Sequence, residues 1–577
     1  MDRSRQPTPD APDGSLDGPD DLDASDGSLD PQRPSGTPDA VDDVVVPPPA
    51  WASGESPVSE PGSSAPQLID VDDPQHPGRQ LAATVSWIVV GLTCLFVFVS
   101  VSPWGVLSTS TPTGGDMGAH VWGPAFLRDH LLPHFRLTGW TPDWYAGFPA
   151  YVFYMVIPSL LIVIINVGPP LWMSPFLLAA IGFAAWQVPQ RLHNHLASVA
   201  LWVPLGLLAM LSVPVPYEVA FKIVTVSGVV TLPLAAFALA RSFKMAFPGP
   251  ALVAVGAACF LYETGYTILG GNITSTMAGE FAFSVSLTLC VLYLAVLVKG
   301  VRTGRQMALA AVLFGLVILC HIIPAMFAAV ATVIFFLTRR EDRVPWWDSF
   351  PIARGMATGI VVVVGLALLF RQDAFPLVVT AAVILLFVGL DLRALTFSSL
   401  TLPVGGLLAC FWFVPFFLDS PFMNDMGWEK YTRYADYLWP QTEQFNMPYR
   451  NVVFALAVLG VLLSLVHRQR IGWYLTLVVV SMAWAFRFAP QWRLWNARIL
   501  PFYFLALYLL AAIAVALIIR SVSLVVADLA RRRDEPVLVG VVATAVVAAL
   551  LGVMYAGAMR ILPGGAVQTD AAGVTAY

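Results

Sequence analysis

The chain has 577 residues, of which 57% are apolar and only 12% charged, with a mean hydropathy of +0.72, values that exclude a set of water-soluble domains. The net charge of −5 joins two unlike parts, because residues 1–80 carry 17 Asp and Glu against four Arg and leave an excess of eight positive charges for the rest. No basic face for nucleic acid is implied, and the composition is that of a polytopic membrane protein.

In chain order, residues 1–80 are rich in Asp, Pro, Ser and Gly ("PDGSLDGPDDLDASDGSLD") and cannot bury enough apolar surface to offset chain entropy, so they read as a disordered acidic tail. The tail has no basic stretch followed at once by an apolar one, so the first apolar segment is expected to stay as a span and not to be cleaved. Segments of the length a bilayer requires follow near 81–103, 171–187, 196–213, 219–240, 248–263, 282–299, 306–320 and 323–338. Others lie near 353–370, 376–391, 398–418, 451–466, 472–487, 501–521 and 537–556. The expected architecture is an all-α, polytopic transmembrane helical bundle of about 15 spans, with its membrane domain over 81–560 and a tail at 561–577. The five cysteines (Cys94, Cys259, Cys290, Cys320, Cys410) fall in apolar runs without metal or redox spacing and read as packing residues. Arg outnumbers Lys 28 to four, a bias of high-GC, actinobacteria-like sequences.

Basic residues set the orientation. "ARSFK" (240–244), "KGVRTGR" (299–305), "RREDR" (339–343), "HRQR" (467–470) and "ARRRDE" (530–535) fall on one side of these spans, which is therefore expected to be cytoplasmic. The acidic N-terminus then lies inside. Outside lie the first loop (104–150), 264–281, the turn at His321, 419–450, 488–500 and the C-terminus. A full crossing by "YVFYMVIPSLLIVIIN" (151–166) would reverse the bias of every later loop, so it reads as a juxtamembrane or re-entrant helix, the alternative being a miscount within 171–213.

The outer segments hold the chemistry. From Met117 to Phe135 the first loop reads as an amphipathic surface helix, with Val121, Phe126, Leu127 and Leu131 apolar and His120, Arg128, Asp129 and His134 polar. Asp116 stands at its N-cap, where it can serve as a helix cap and also, one turn from His120, as a carboxylate base at the membrane surface. Asp143 in "TPDWYAG" is a reserve candidate. Glu280, closing the Gly-rich "GGNITSTMAGE", is a costly charge at the mouth of a span unless paired or used. His321 in "CHIIPAM" reads either as a structural turn residue or as part of the site. In "RFAPQWRLWNARILPFYF" (487–504), Arg493 and Arg498 flank Trp495 and Asn496, an arrangement suited to holding a lipid phosphate and also to an aromatic belt with snorkelling arginines. The loop 419–450 mixes Trp, Tyr, amides and acids as sugar sites do, and as ordinary extracellular loops do.

Together "WYAGFP", "GGNITSTMAGEFAFS", "HIIPA", "RLWNARILPFYFL" and the first-loop Asp resemble the GT-C superfamily of membrane glycosyltransferases. Within it they are most similar to the bacterial and archaeal membrane proteins labelled 6-pyruvoyl-tetrahydropterin synthase-related, and more distantly to YfhO-type and mycobacterial arabinofuranosyltransferase proteins. The likeness covers roughly 81–560; 168–215 looks like an inserted hairpin, and the pterin enzyme's zinc-binding histidine pattern is not evident. The resemblance implies a polyprenyl-phosphate sugar donor and a glycan or lipid acceptor meeting at the outer face of the plasma membrane. It implies Asp116 as catalytic carboxylate, with His120, Asp143 and Glu280 as further catalytic candidates. Arg493, Arg498, Asn496, Trp495 and His321 become donor-binding candidates. No metal site is assigned, and a divalent metal is left open. The alternatives are a transporter or flippase of lipid-linked sugars, against which stands the lack of a clear internal repeat, or a non-catalytic envelope-assembly scaffold.

Overall fold

Long apolar runs closed by Gly, Pro or a charged residue become helices in the computed structural model. It describes residues 78–143, 146–191, 205–206, 208–209, 211–263, 266–338, 392–423, 430–439, 448–488, 494–529, 540–549, 568–569 and 575–576. The acidic tail lies outside the described residues, as do the expected spans at 353–370 and 376–391, the basic segments at 339–343 and 530–535, and most of the C-terminal tail.

The helices are α1 (Arg79–Ser100), α2 (Pro103–Leu107), α3 (Met117–Phe126), α4 (Ile157–Val167), α5 (Ser174–Arg191), α6 (Tyr217–Ser242), α7 (Gly249–Leu261) and α8 (Phe281–Thr303). There follow α9 (Met307–Cys320), α10 (Ile322–Thr338), α11 (Leu392–Leu418), α12 (Pro448–Val466), α13 (Arg470–Phe488) and α14 (Leu500–Leu529), then α15 (Gly540–Ala549). The strands are minimal: β1 (Gly139–Thr141) pairs antiparallel with β2 (Phe148–Ala150), and Gln568–Thr569 pairs with Thr575–Ala576.

This is the all-helical architecture of a membrane protein. Among the described residues, six helices are long and apolar enough to cross a bilayer: Arg79–Ser100, Tyr217–Ser242, Ile273–Thr303, Thr396–Leu418, Arg470–Phe488 and Asn496–Val526. Seven further apolar helices are shorter. Two of these, α9 and α10, correspond to the stretches expected as separate spans around a tight turn at His321; the extended backbone of that residue (φ −168°, ψ 127°) separates them, and each is shorter than the six helices long enough to cross.

Helix α4 has 11 residues, which at 1.5 Å per residue reach only about half of a ~30 Å hydrocarbon core. Its length suits the non-crossing role expected of 151–166, although the helix begins six residues later than that stretch because Tyr151–Val156 form turns.

The core is built on α6, α7, α8 and α14, with α1 laid across α6 and α7, and α12 and α13 against α14. Apolar burial drives helix packing little inside lipid, so close backbone approach matters more. A Cβ on Gly228 of α6 would meet the Ser284 and Val285 backbone of α8 at 2.5 Å, and one on Gly256 of α7 would meet the Tyr508 carbonyl of α14 at 2.9 Å. Beside the first of these contacts, the Thr288 hydroxyl donates to the Gly228 carbonyl. The five cysteines are free.

The single amphipathic helix expected over 117–135 is corrected to three pieces. Helix α3 gives way to a π-helical turn (Leu127–Leu131) and a 3₁₀ turn (Leu132–His134) that ends at Phe135 with φ 55°. Two prolines account for the break, since Pro124 within α3 removes a backbone donor and Pro133 sits in the first turn of the 3₁₀ segment. The buried stripe is Met117, Pro124, Leu127 and Leu131, while Phe135 is fully outside.

Candidate functional site

The segment between α7 and α8 is organised by its own polar side chains. Asn272 accepts the Ser275 N–H at 2.9 Å and donates to the carbonyls of Glu263 and Tyr266, folding the glycine-rich stretch back on itself. Thr276 bonds the Asn272 carbonyl at 2.7 Å and the Ser284 hydroxyl at 2.6 Å. A kinked turn then covers Thr276–Glu280. Within it Gly279 has φ 121°, a conformation side chains rarely adopt.

The first loop docks on this turn. The Asp116 N–H donates to the Ala278 carbonyl at 2.9 Å. A Cβ added to Gly279 would lie 3.0 Å from the Asp116 Cβ and 3.1 Å from the His120 Cδ2. Only a glycine lets the two segments come this close. Asp116 does occupy the N-cap position of α3, but its side chain makes no capping hydrogen bond. The capping reading is thereby corrected: the position is right, and the exposed carboxylate is left for other work.

His120 packs against Tyr154 at 5.1 Å between ring centroids and edge-on against Phe281 at 5.4 Å. Burial pushes its imidazole down to about 4, with Asp116 pulling the other way. Tyr154, missed in the sequence, is held well above the usual phenol range by burial and then by Glu280, with Asp116 adding and Arg498 opposing.

On the other side of Gly279, Glu280 pairs with Arg498, Nη2 to Oε1 at 2.5 Å. Its second oxygen lies 4.0 Å from the His321 Nε2. The His321 Nδ1 accepts the Ile323 N–H at 3.3 Å, so the neutral ring carries its proton on Nε2, toward Glu280. Arg498 projects from a 3₁₀ turn (Asn496–Ile499), 5.8 Å from the centre of the Trp495 ring. Its Nη1 is buried with no hydrogen-bond partner among the described residues.

Asp116, His120, Glu280, His321 and Arg498, nominated from four separate stretches, thus come together. Others do not join them. The Asp143 carboxylate accepts the Trp122 indole N–H at 3.1 Å beside the β1–β2 hairpin, and no contact among the described residues links it to the cluster. The Asn496 amide is used on backbone, accepting the Tyr431 N–H and donating to the Tyr431 and Phe486 carbonyls at 3.0 Å each. It fixes the turn that carries Arg498. Trp495 is buried edge-on against Tyr431. Arg493 lies outside the described residues.

Glu263, Arg450 and Lys222 were not among the expected site residues. Glu263, fully buried, is held by Arg450 through Nη2–Oε1 at 2.8 Å and by the Tyr508 hydroxyl at 3.0 Å. Lys222, 1% exposed, sits in the apolar run "EVAFKIVTV". A lone charge in such a run is the signal that could have found Glu263 or Lys222.

Among the described residues no group of three or more His, Cys, Asp and Glu side chains is arranged to hold a metal ion. No family model matches the chain, and no curated protein matches it.

Proposed function

We propose that the protein is a GT-C type membrane glycosyltransferase, moving a sugar from a polyprenyl-phosphate donor to a cell-envelope glycan or lipid acceptor on the outer face of the plasma membrane. The observation that carries this reading is the meeting of the first-loop carboxylate with a Glu–Arg pair on the far side of Gly279. In this reading Asp116 takes the proton of the acceptor hydroxyl as that oxygen bonds the anomeric carbon of the donor sugar. The bond from that carbon to the phosphate oxygen breaks, and its electron pair leaves with the polyprenyl phosphate. Arg498, whose side chain is part-exposed beside Glu280, stabilises the departing charge. Glu280, nominated as an acid or base, is assigned to positioning Arg498, with His321 behind it. His120, neutral at physiological pH, lines the site without drawing charge from Asp116.

The sidedness rests on the basic segments. Arg302 donates to the Ser242 carbonyl at 3.0 Å, so the 240–244 and 299–305 segments lie together, in keeping with one cytoplasmic side for both. In a cysteine-free background, an impermeant thiol reagent should reach Thr113→Cys and Thr432→Cys in intact cells but not Thr303→Cys.

The function is tested by Asp116→Asn, expressed in a deletion strain whose envelope glycans and lipid-linked sugars are followed by mass spectrometry. A well-folded variant with transfer reduced by roughly two to four powers of ten is expected. Near-normal transfer would remove Asp116 as the base. Accumulation of untransported lipid-linked sugar on the inner face would favour the flippase reading.

A further inference from the structure

Between the end of α1 and the start of α3 the chain makes one short helix, α2, and then nine residues (108–116) without regular structure of any length. Contacts at both ends fix this stretch. At its far end the Asp116 N–H is tied to Ala278. At its near end the Lys222 Nζ donates to the carbonyls of Gly105 (2.7 Å), Ser108 (2.6 Å) and Ser110 (2.9 Å) and approaches the Ser108 hydroxyl at 2.9 Å. The Ser108 and Ser110 hydroxyls, 2.7 Å apart, close the turn around the ammonium.

An ammonium withdrawn from water is expensive unless several oxygens replace its hydration, and here one turn of the first loop supplies four. The dependence is mutual, because without the ammonium the Ser108 and Ser110 carbonyls lose this donor, while the Gly105 carbonyl keeps only the Ser108 hydroxyl and N–H. Helix α6 reinforces the grip from the same end. Phe221 shares a packed cluster with Met117 and Phe281, and the Tyr217 hydroxyl donates to the Val121 carbonyl. The Asp116 carboxylate has no capping bond to its own helix, so backbone position is what sets where it points.

We infer that Lys222 is a positioning residue: it anchors the 105–110 turn and thereby holds Asp116 against the Gly279 turn. The inference rests on the glycosyltransferase reading for its effect on rate, though not for its effect on the loop. A cation inside an apolar helix is there to order the loop.

The test uses Lys222→Met, which keeps length and removes charge, in full-length protein with single cysteines. One reporter is Met117→Cys, at a site fully buried beside Asp116; the other is the native Cys290, fully buried in α8. Maleimide should label Met117→Cys about tenfold or more faster in the Lys222→Met background, while Cys290 stays protected, as local opening requires. With a panel of radiolabelled polyprenyl-phosphate pentoses and hexoses, the maximal rate should fall about tenfold or more and the donor KM should stay within about twofold, since Arg498 is untouched. Ser108→Ala, which removes one of the four oxygens, should move the same readouts in the same direction by a smaller factor. Unchanged protection at 117 overturns the inference, and so does equal loss of protection at Cys290, which would make Lys222 a general determinant of folding. Absence of transfer by the wild-type protein would sink the glycosyltransferase reading, and protection at 117 would still decide whether Lys222 fixes the loop.

Discussion

The segment joining α7 to α8 carries a glutamate at each end, and each is met by an arginine from a distant part of the chain, yet the two pairs are built differently. Glu263 is fully buried, both its oxygens are bonded by Arg450, and Tyr508 adds a third donor. The Arg450 guanidinium lies 4.8 Å from the centre of the Phe504 ring, and the cavity beside the pair is about 20 Å³, room for no more than a water. Glu280 and Arg498 keep 15% and 19% of their side chains exposed, share one close contact, and leave the buried Nη1 without a partner among the described residues. A fully buried carboxylate bonded on both oxygens, by Arg450 and by Tyr508, is built to hold the fold. The second pair is part-exposed and stands beside an uncapped carboxylate, the arrangement on which the proposed chemistry rests.

The largest effect is expected at the closed pair. Arg450→Ala leaves the Glu263 charge buried without its cation, a loss of about 3–5 kcal/mol, so the variant should lose most of its folded, detergent-extractable population on size-exclusion chromatography. At the open pair the penalty should fall on function. Arg498→Lys keeps the charge but not the planar fork, so apparent donor affinity should fall by about tenfold or more while the melting temperature stays near wild type.

Acid provides a smaller and graded probe. His120 is held neutral by burial, with a value near 4 against an ordinary 6.5. As pH falls, the unfolded chain takes up the proton first, so stability present at neutral pH is lost progressively between about 6.5 and 4 and changes no further below that from this group. Unfolding midpoints measured across this range should decline less steeply in His120→Gln. An identical decline would mean that His120 is solvated in the folded protein.

Much of this was legible in the residues. Apolar runs marked the helices because an uninterrupted stretch with no charge has no other stable state in lipid. Asp116, Glu280, His321 and Arg498 stood out as charged or titratable groups at the ends of such runs. The pairings were not legible, because Glu263 and Arg450 lie 187 residues apart and nothing local distinguishes a closed pair from an open one. Asn496 looked like a ligand-binding amide, and only the fold shows its hydrogen bonds used on Tyr431 and Phe486. The contact of Tyr154 with His120 depends on the first loop folding over it, and the break of the 117–135 helix depends on Pro124 and Pro133, whose presence was visible but whose effect the apolar periodicity masked.

The claim that one glutamate serves structure and the other serves chemistry is tested most directly by purifying Glu263→Gln and Glu280→Gln side by side and measuring melting temperature and transfer rate for each. The account predicts that Glu263→Gln melts well below wild type and that Glu280→Gln melts near it but transfers at least about tenfold more slowly, as loss of a charged partner for Arg498 should cost. A Glu280→Gln protein that transfers sugar at the wild-type rate, or one that melts as early as Glu263→Gln, would contradict it.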